Sequence, residues 1–303
     1  MKRLVPAVVP ALVLLSGCFG TRGVPDAAPD EKAPGPSDTV GDGGGDDPEP
    51  APEPPADADV PLATVSPALS ERLPPDLVTA VRRARGRFDT AESAADVAAA
   101  WRAADALAPR LEEALTPAFE AQGEPMALDL SWLTPSLPGM SETYMAEGTA
   151  LVFLLDLEPW TALAAKTPEP SDDAFFALME RAWGSARPMG WPSWTARTWD
   201  YGGCSALGQG VVLEVLVLAD AAHAAGPEFH EEIAPTRKLA LDHVLQDDEL
   251  FPRCNPNTLQ PTATGELQGE AKRILEQIRL SEEERGAIEK RMPELVGQVH
   301  TGG

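Results

Sequence analysis

The feature that most constrains this chain is a segment of 43 residues, positions 19–61, with ten prolines, seven glycines and eleven acids against two bases. No aromatic residue follows Phe19 within it. Such a segment cannot bury enough apolar surface to offset its ordering entropy, so it is expected to be a disordered tether. As a flexible chain it would span ~35–40 Å, and proline stiffness with like-charge repulsion would lengthen it. Its run Gly41-Asp42-Gly43-Gly44-Gly45-Asp46-Asp47 has glycines and acids but no following Lys, strand or helix pattern, so it reads as linker rather than as a phosphate or calcium loop. Folding is therefore confined to residues 62–303, a length of 242 that suffices for one sizeable core.

The residues before the tether have the layout of an export signal. Lys2 and Arg3 precede an apolar stretch over residues 4–15, which is too short at about 12 residues for the ~20 of a membrane-spanning helix and is interrupted by Pro6 and Pro10. Leu15-Ser16-Gly17-Cys18 follows and resembles the lipobox of bacterial lipoproteins. The resemblance implies removal of residues 1–17, diacylglycerol and fatty acyl groups on Cys18 as the covalent modification, and no other cofactor. Two or three acyl chains, at ~0.8 kcal/mol per buried CH₂, hold a protein to a membrane almost permanently. In that family an Asp directly after the Cys favours retention in the inner membrane. Phe19 and Gly20 stand here instead, which implies the outer membrane of the cell envelope.

Charge narrows the class of partner. The chain carries 24 Lys and Arg against 48 Asp and Glu, a formal net charge of −24, which argues against nucleic acid. With the leader's two bases and the tether's net −9 set aside, residues 62–303 retain −17. Acidity thus belongs to the folded body as well as to the tether.

Hydrophobic spacing in that body predicts an all-α fold, an irregular multi-helix bundle in one domain. Val97, Trp101, Ala104, Ala108, Leu111 and Leu115 mark one helical stripe, with Asp89 and Glu92 as a candidate capping box and with Pro109 and Pro117 expected to kink or divide it. Ser171 is a candidate cap for a helix bearing Phe175, Phe176, Met179 and Trp183, and Ser281 with Glu284 forms a capping box ahead of Ile288. Gly226-Pro227 separates a helix over residues 205–225 from one over 228–246, the second broken near Pro235. The apolar runs at 148–157 and 211–219 could be strands by composition alone, but their flanks extend each beyond strand length, so both are expected to be helices buried on nearly all sides.

Cys204 and Cys254 make an even pair in an exported domain and predict a disulfide. The alternative is a nucleophilic Cys204 with His223, His230 or His243 as its base. Asp220-x-x-His223 places a carboxylate and an imidazole on one helical face. A helical metal centre needs further such motifs, and with four His in the chain no metal is expected.

Trp183, Trp191, Trp194, Trp199 and Tyr201 fall within 19 residues among prolines and glycines. They suggest a loop that either packs on the core or offers stacking platforms to a sugar or cation. Glu147 and Glu214 lie in or beside the apolar runs, so each is a candidate buried carboxyl with a raised pKa, unless it forms an ion pair with an Arg such as Arg181, Arg197 or Arg237. Motifs for a hydrolase nucleophile elbow, a phosphate-binding loop, a dinucleotide site and a zinc protease are missing. Glu92-Ser93 matches the catalytic dipeptide of helical cell-wall lytic lipoproteins but lacks their Gly-containing continuation. The expected function is a lipid-anchored, non-catalytic binding or scaffold module facing an envelope protein or glycan. The alternative is an envelope glycan hydrolase using Glu147 or Glu214 beside the Trp loop.

Overall fold

The computed structural model describes residues 60–121, 128–145, 150–184, 192–197, 203–245, 252–255, 258 and 260–297. The order is α1 (Ala68–Arg72), α2 (Pro75–Thr90), α3 (Ala94–Glu120), β1 (Met140–Met145), β2 (Ala150–Leu155), α4 (Leu157–Ala164), α5 (Pro170–Trp183), β3 (Thr195–Arg197), β4 (Gly203–Ser205), α6 (Val211–Ala225), α7 (His230–Leu245), α8 (Thr264–Gln277) and α9 (Glu282–Arg291). Helices dominate, as the spacing predicts. The two sheets are separate antiparallel ribbons, β1 with β2 and β3 with β4.

The expected stripe of α3 lies on the core: Val97, Trp101, Ala104, Leu111 and Leu115 are buried. Its cap differs from the Asp89–Glu92 expectation. Ser93 accepts a bond from the Asp96 N–H while the Asp96 carboxylate accepts one from the Ser93 N–H, and Asp89 instead pairs with Arg85 one turn earlier on α2. Neither Pro109 nor Pro117 divides α3. Both are exposed, on the side where a carbonyl that loses its helical donor reaches water. Pro235 is likewise exposed, and α7 runs through it. On α5 the cap position falls to Glu169 with Pro170 in the first turn, and Ser171 is buried inside the helix.

The run at 148–157 departs from the expected helix. Ala150–Leu155 is a strand paired with Met140–Met145, in a register that sets Met140 opposite Leu155 and Thr143 opposite Val152. Leu151, Val152, Phe153 and Leu155 are all buried, so both faces of β2 are covered and the alternation that marks a half-exposed strand is lost. β2 lies on α3, where the Phe153 N–H donates to Glu112 Oε1 at 2.9 Å.

The core centres on rings carried by α3, α4 and α5. Trp101 meets Trp160 at 5.3 Å and Phe175 at 5.5 Å edge to face, and Phe229 stacks on Phe175 at 4.2 Å. Such pairs are worth ~0.5–1.5 kcal/mol each beyond their burial. The buried Trp160 Nε1–H donates to the Gly139 carbonyl at 3.0 Å.

A fully buried carboxylate organises the start of α6. Glu270, on α8, accepts bonds from the backbone N–H groups of Gly208, Gly210 and Leu213, the last two at 3.1 and 2.9 Å. Gly208 and Gly210 hold φ of +94° and +86°, a left-handed conformation that glycine adopts without a Cβ penalty and that turns their N–H groups toward the acid. The helix has no Ser, Thr, Asp or Asn at its cap position, and the distant Glu270 supplies the anion that the positive end of a helix favours.

Cys204 and Cys254 form the expected disulfide. It joins β4 to a segment whose Pro252 carbonyl accepts the Ser205 N–H at 3.0 Å. Reduction, or the double change Cys204→Ala and Cys254→Ala, is expected to lower unfolding free energy by about 2–4 kcal/mol, because the bond closes a loop of about 50 residues. Urea unfolding with and without reductant measures this, and coincident curves contradict it.

Candidate functional site

The Trp-rich segment begins where α5 ends. Gly184 terminates that helix with φ +87°, and the chain returns so that the Ser193 N–H donates to the Ala182 carbonyl at 2.8 Å. Ser193 Oγ also donates to the Arg181 carbonyl at 2.6 Å. These bonds draw Trp194 beneath the surface, where it is 1 % exposed and its ring lies 6.3 Å from Trp183. Trp194 is therefore core packing and not a ligand platform. Trp191, Trp199 and Tyr201 lie outside the described residues, as does Glu147.

Glu214 is exposed, contrary to the expectation of a buried carboxyl. Its Oε2 meets Arg181 Nη2 at 2.6 Å and Nε at 2.7 Å, the ion pair held open as the other outcome. The cause is helical phase. The buried face of α6 comprises Val212, Val215, Leu216, Ala219 and Ala222, and at 100° per residue Glu214 lies on the other side of the helix. An exposed carboxylate on a guanidinium gives no basis for a neutral general acid.

Disulfide bonding removes Cys204 as a nucleophile, and His243 is engaged by its neighbour. Ser205 Oγ lies 2.6 Å from His243 Nε2 and accepts the Leu207 N–H at 3.2 Å. Burial pushes the His243 imidazole down to about 4, and the charge of Arg253 adds to that shift. The ring and the serine hydroxyl thus share a hydrogen bond whose direction follows the ring's tautomer. Ser205 is 1 % exposed, so the pair has the spacing of a nucleophile and base without access for a substrate; it latches α7 to β4. Sequence reasoning overlooked it because the partners stand 38 residues apart.

Asp220 and His223 do share a face of α6, but their bonding is not that of metal ligands. Asp220 Oδ2 accepts the Arg279 N–H at 2.8 Å, and Oδ1 meets Arg237 Nε at 3.4 Å. The His223 ring stacks on His230 at 3.7 Å with planes 8° apart, so their in-plane nitrogen lone pairs cannot converge on one ion. Among the described residues no group of three or more His, Cys, Asp or Glu could hold a metal.

The same residues do border a cavity of about 350 Å³ between α6, α7 and the turn that links α8 to α9. Asp220 and His223 line one wall, Arg237 and Lys238 another, and Arg279 the third, with Ile233 at the floor. Arg237 is the hub: it also donates to Glu284 Oε1 at 2.8 Å and to the Arg279 carbonyl. Burial works against the Arg237 charge, but Glu284 and Asp220 outweigh it and raise the pKa further. On Glu284, burial is likewise outweighed by Arg237 and by Ser281, so the carboxyl sits below its usual range. The partners of this hub stand 17 to 47 residues from Arg237, which could be named beforehand only as one possible partner for a buried acid.

Among the described residues no helix is long and apolar enough to cross a membrane. Comparison with protein-family models, curated proteins and solved structures returned no match to this chain.

Proposed function

We propose that the chain is a lipid-anchored lipoprotein of the cell envelope, held at the outer membrane through diacylglycerol and fatty acyl groups on Cys18. Its helical body then serves as a non-catalytic binding or scaffold module for an envelope protein or glycan, not for nucleic acid. The observation that carries the anchor is Leu15-Ser16-Gly17-Cys18 directly after a cationic and apolar leader. The non-catalytic reading is supported by where the candidate groups are spent: Glu214 on Arg181, Ser205 on His243, and Cys204 on Cys254. The glycan hydrolase alternative loses Glu214 as its acid and retains Glu147.

Growth with labelled fatty acid is expected to label the wild-type chain and to leave Cys18→Ser unlabelled and full length. A wild-type chain without label, or equal labelling of the variant, overturns the anchor. Retention of the protein in the outer-membrane fraction on sucrose-gradient separation checks its placement.

A further inference from the structure

We propose that the cavity between α6, α7 and the α8–α9 turn binds a small organic carboxylate, with the carboxyl group on Arg279 and a short apolar body against Ile233. This deepens the binding-module reading by naming a ligand class, and it is independent of the lipid anchor.

The argument is a charge account of the cavity wall. Arg237 is held by Asp220 and Glu284. Lys238 pairs with Asp242. Asp220 has one oxygen on Arg237 and the other on the Arg279 N–H. The guanidinium of Arg279 is exposed at the rim and bonds to none of the described residues, although its backbone is fixed at both ends by Asp220 and Arg237. One guanidinium is thus left without a bonded partner among the described residues, on a turn whose backbone is held, beside a concave surface in a body whose formal charge is −17.

The choice of ligand follows from the donors and the volume. A guanidinium presents a planar fork that matches one carboxylate with two parallel bonds. The other charges at the wall, Arg237 and Lys238 against Asp220, Glu284 and Asp242, sum to −1, so the Arg279 guanidinium has a single charge to offer and a monoanion is favoured over a dianion. A volume of about 350 Å³ lies at the small end of ligand sites and suits a body of a few carbons. The ring of His223, on the opposite wall, supplies a reporter of occupancy.

The test titrates the full-length chain with hexanoate, followed by calorimetry and by the His223 ring resonances. Saturable binding that shifts those resonances is expected, with acetate and hexylamine at least about tenfold weaker. Arg279→Ala should weaken hexanoate by about tenfold or more at an unchanged melting temperature, because only an exposed side chain is removed, and Arg279→Lys should retain part of the affinity. Absence of saturable hexanoate binding, equal binding by Arg279→Ala, or equal binding of hexylamine overturns the proposal. If acetate matches hexanoate, the apolar contact with Ile233 is refuted. Since the anchor is read on Cys18 by fatty-acid label, failure of either test leaves the other standing.

Discussion

Glu270→Ala is expected to destabilise the fold by about 3–5 kcal/mol, a fall in melting temperature on the order of 10 °C. The wild-type carboxylate is fully buried and receives three backbone N–H groups from the turn before α6 and its first residues. Alanine leaves those donors, on half-buried residues, without their acceptor and removes the carboxylate from the positive end of the helix. Glu270→Gln keeps the shape and one acceptor oxygen but turns an NH₂ donor toward the remaining N–H groups, so roughly half the loss is expected. Thermal and urea unfolding of the two variants measure the effect. A change below about 1 kcal/mol for the alanine variant contradicts the assignment of Glu270 as the cap of α6.

The second large effect is on pH. The folded His243 imidazole is pushed down to about 4 against an ordinary value of 6.5. Between those limits the unfolded chain binds the proton and the folded chain does not. Stability from this residue is therefore complete above about pH 6.5 and is lost as pH falls toward 4, a loss on the order of 2–3 kcal/mol. Glu112 and Asp172 act in the opposite sense, since burial outweighs their hydrogen bonds and raises both carboxyls. The clean measurement is thus a difference: the melting temperature of His243→Gln, relative to wild type, should rise as pH drops from 6.5 to 4. A difference that stays constant with pH removes His243 from the account.

Local features were legible in the sequence and long-range ones were not. The stripe from Val97 to Leu115 and the Ser281–Glu284 box each express physics within a few turns of helix, and both occur as expected. The pairing of Cys204 with Cys254 follows from the two cysteines that remain once Cys18 is set aside, in a domain read as exported. The strand at Ala150–Leu155 was misread because full burial erases periodicity, leaving composition that suits helix and strand alike. Glu214 was read as buried because it stands within an apolar run, but the residues turned to the core are Val212, Val215, Leu216, Ala219 and Ala222, on the opposite side of the helix. Glu270, His243 and Arg237 reach partners 17 to 62 residues away on other elements, and no local pattern marks such a partner.

The entry of the chain into its folded body has a mechanical consequence. Ala63 is clasped to α2 by two bonds, its N–H to the Arg82 carbonyl at 3.2 Å and its own carbonyl to Arg82 Nε at 3.0 Å. One turn along, the Pro61 carbonyl lies so close to Gly86 that a Cβ there would sit 1.9 Å from its oxygen. A pull at residue 60 is thus expected to reach α2 at Arg82 before it reaches the ring cluster around Trp101.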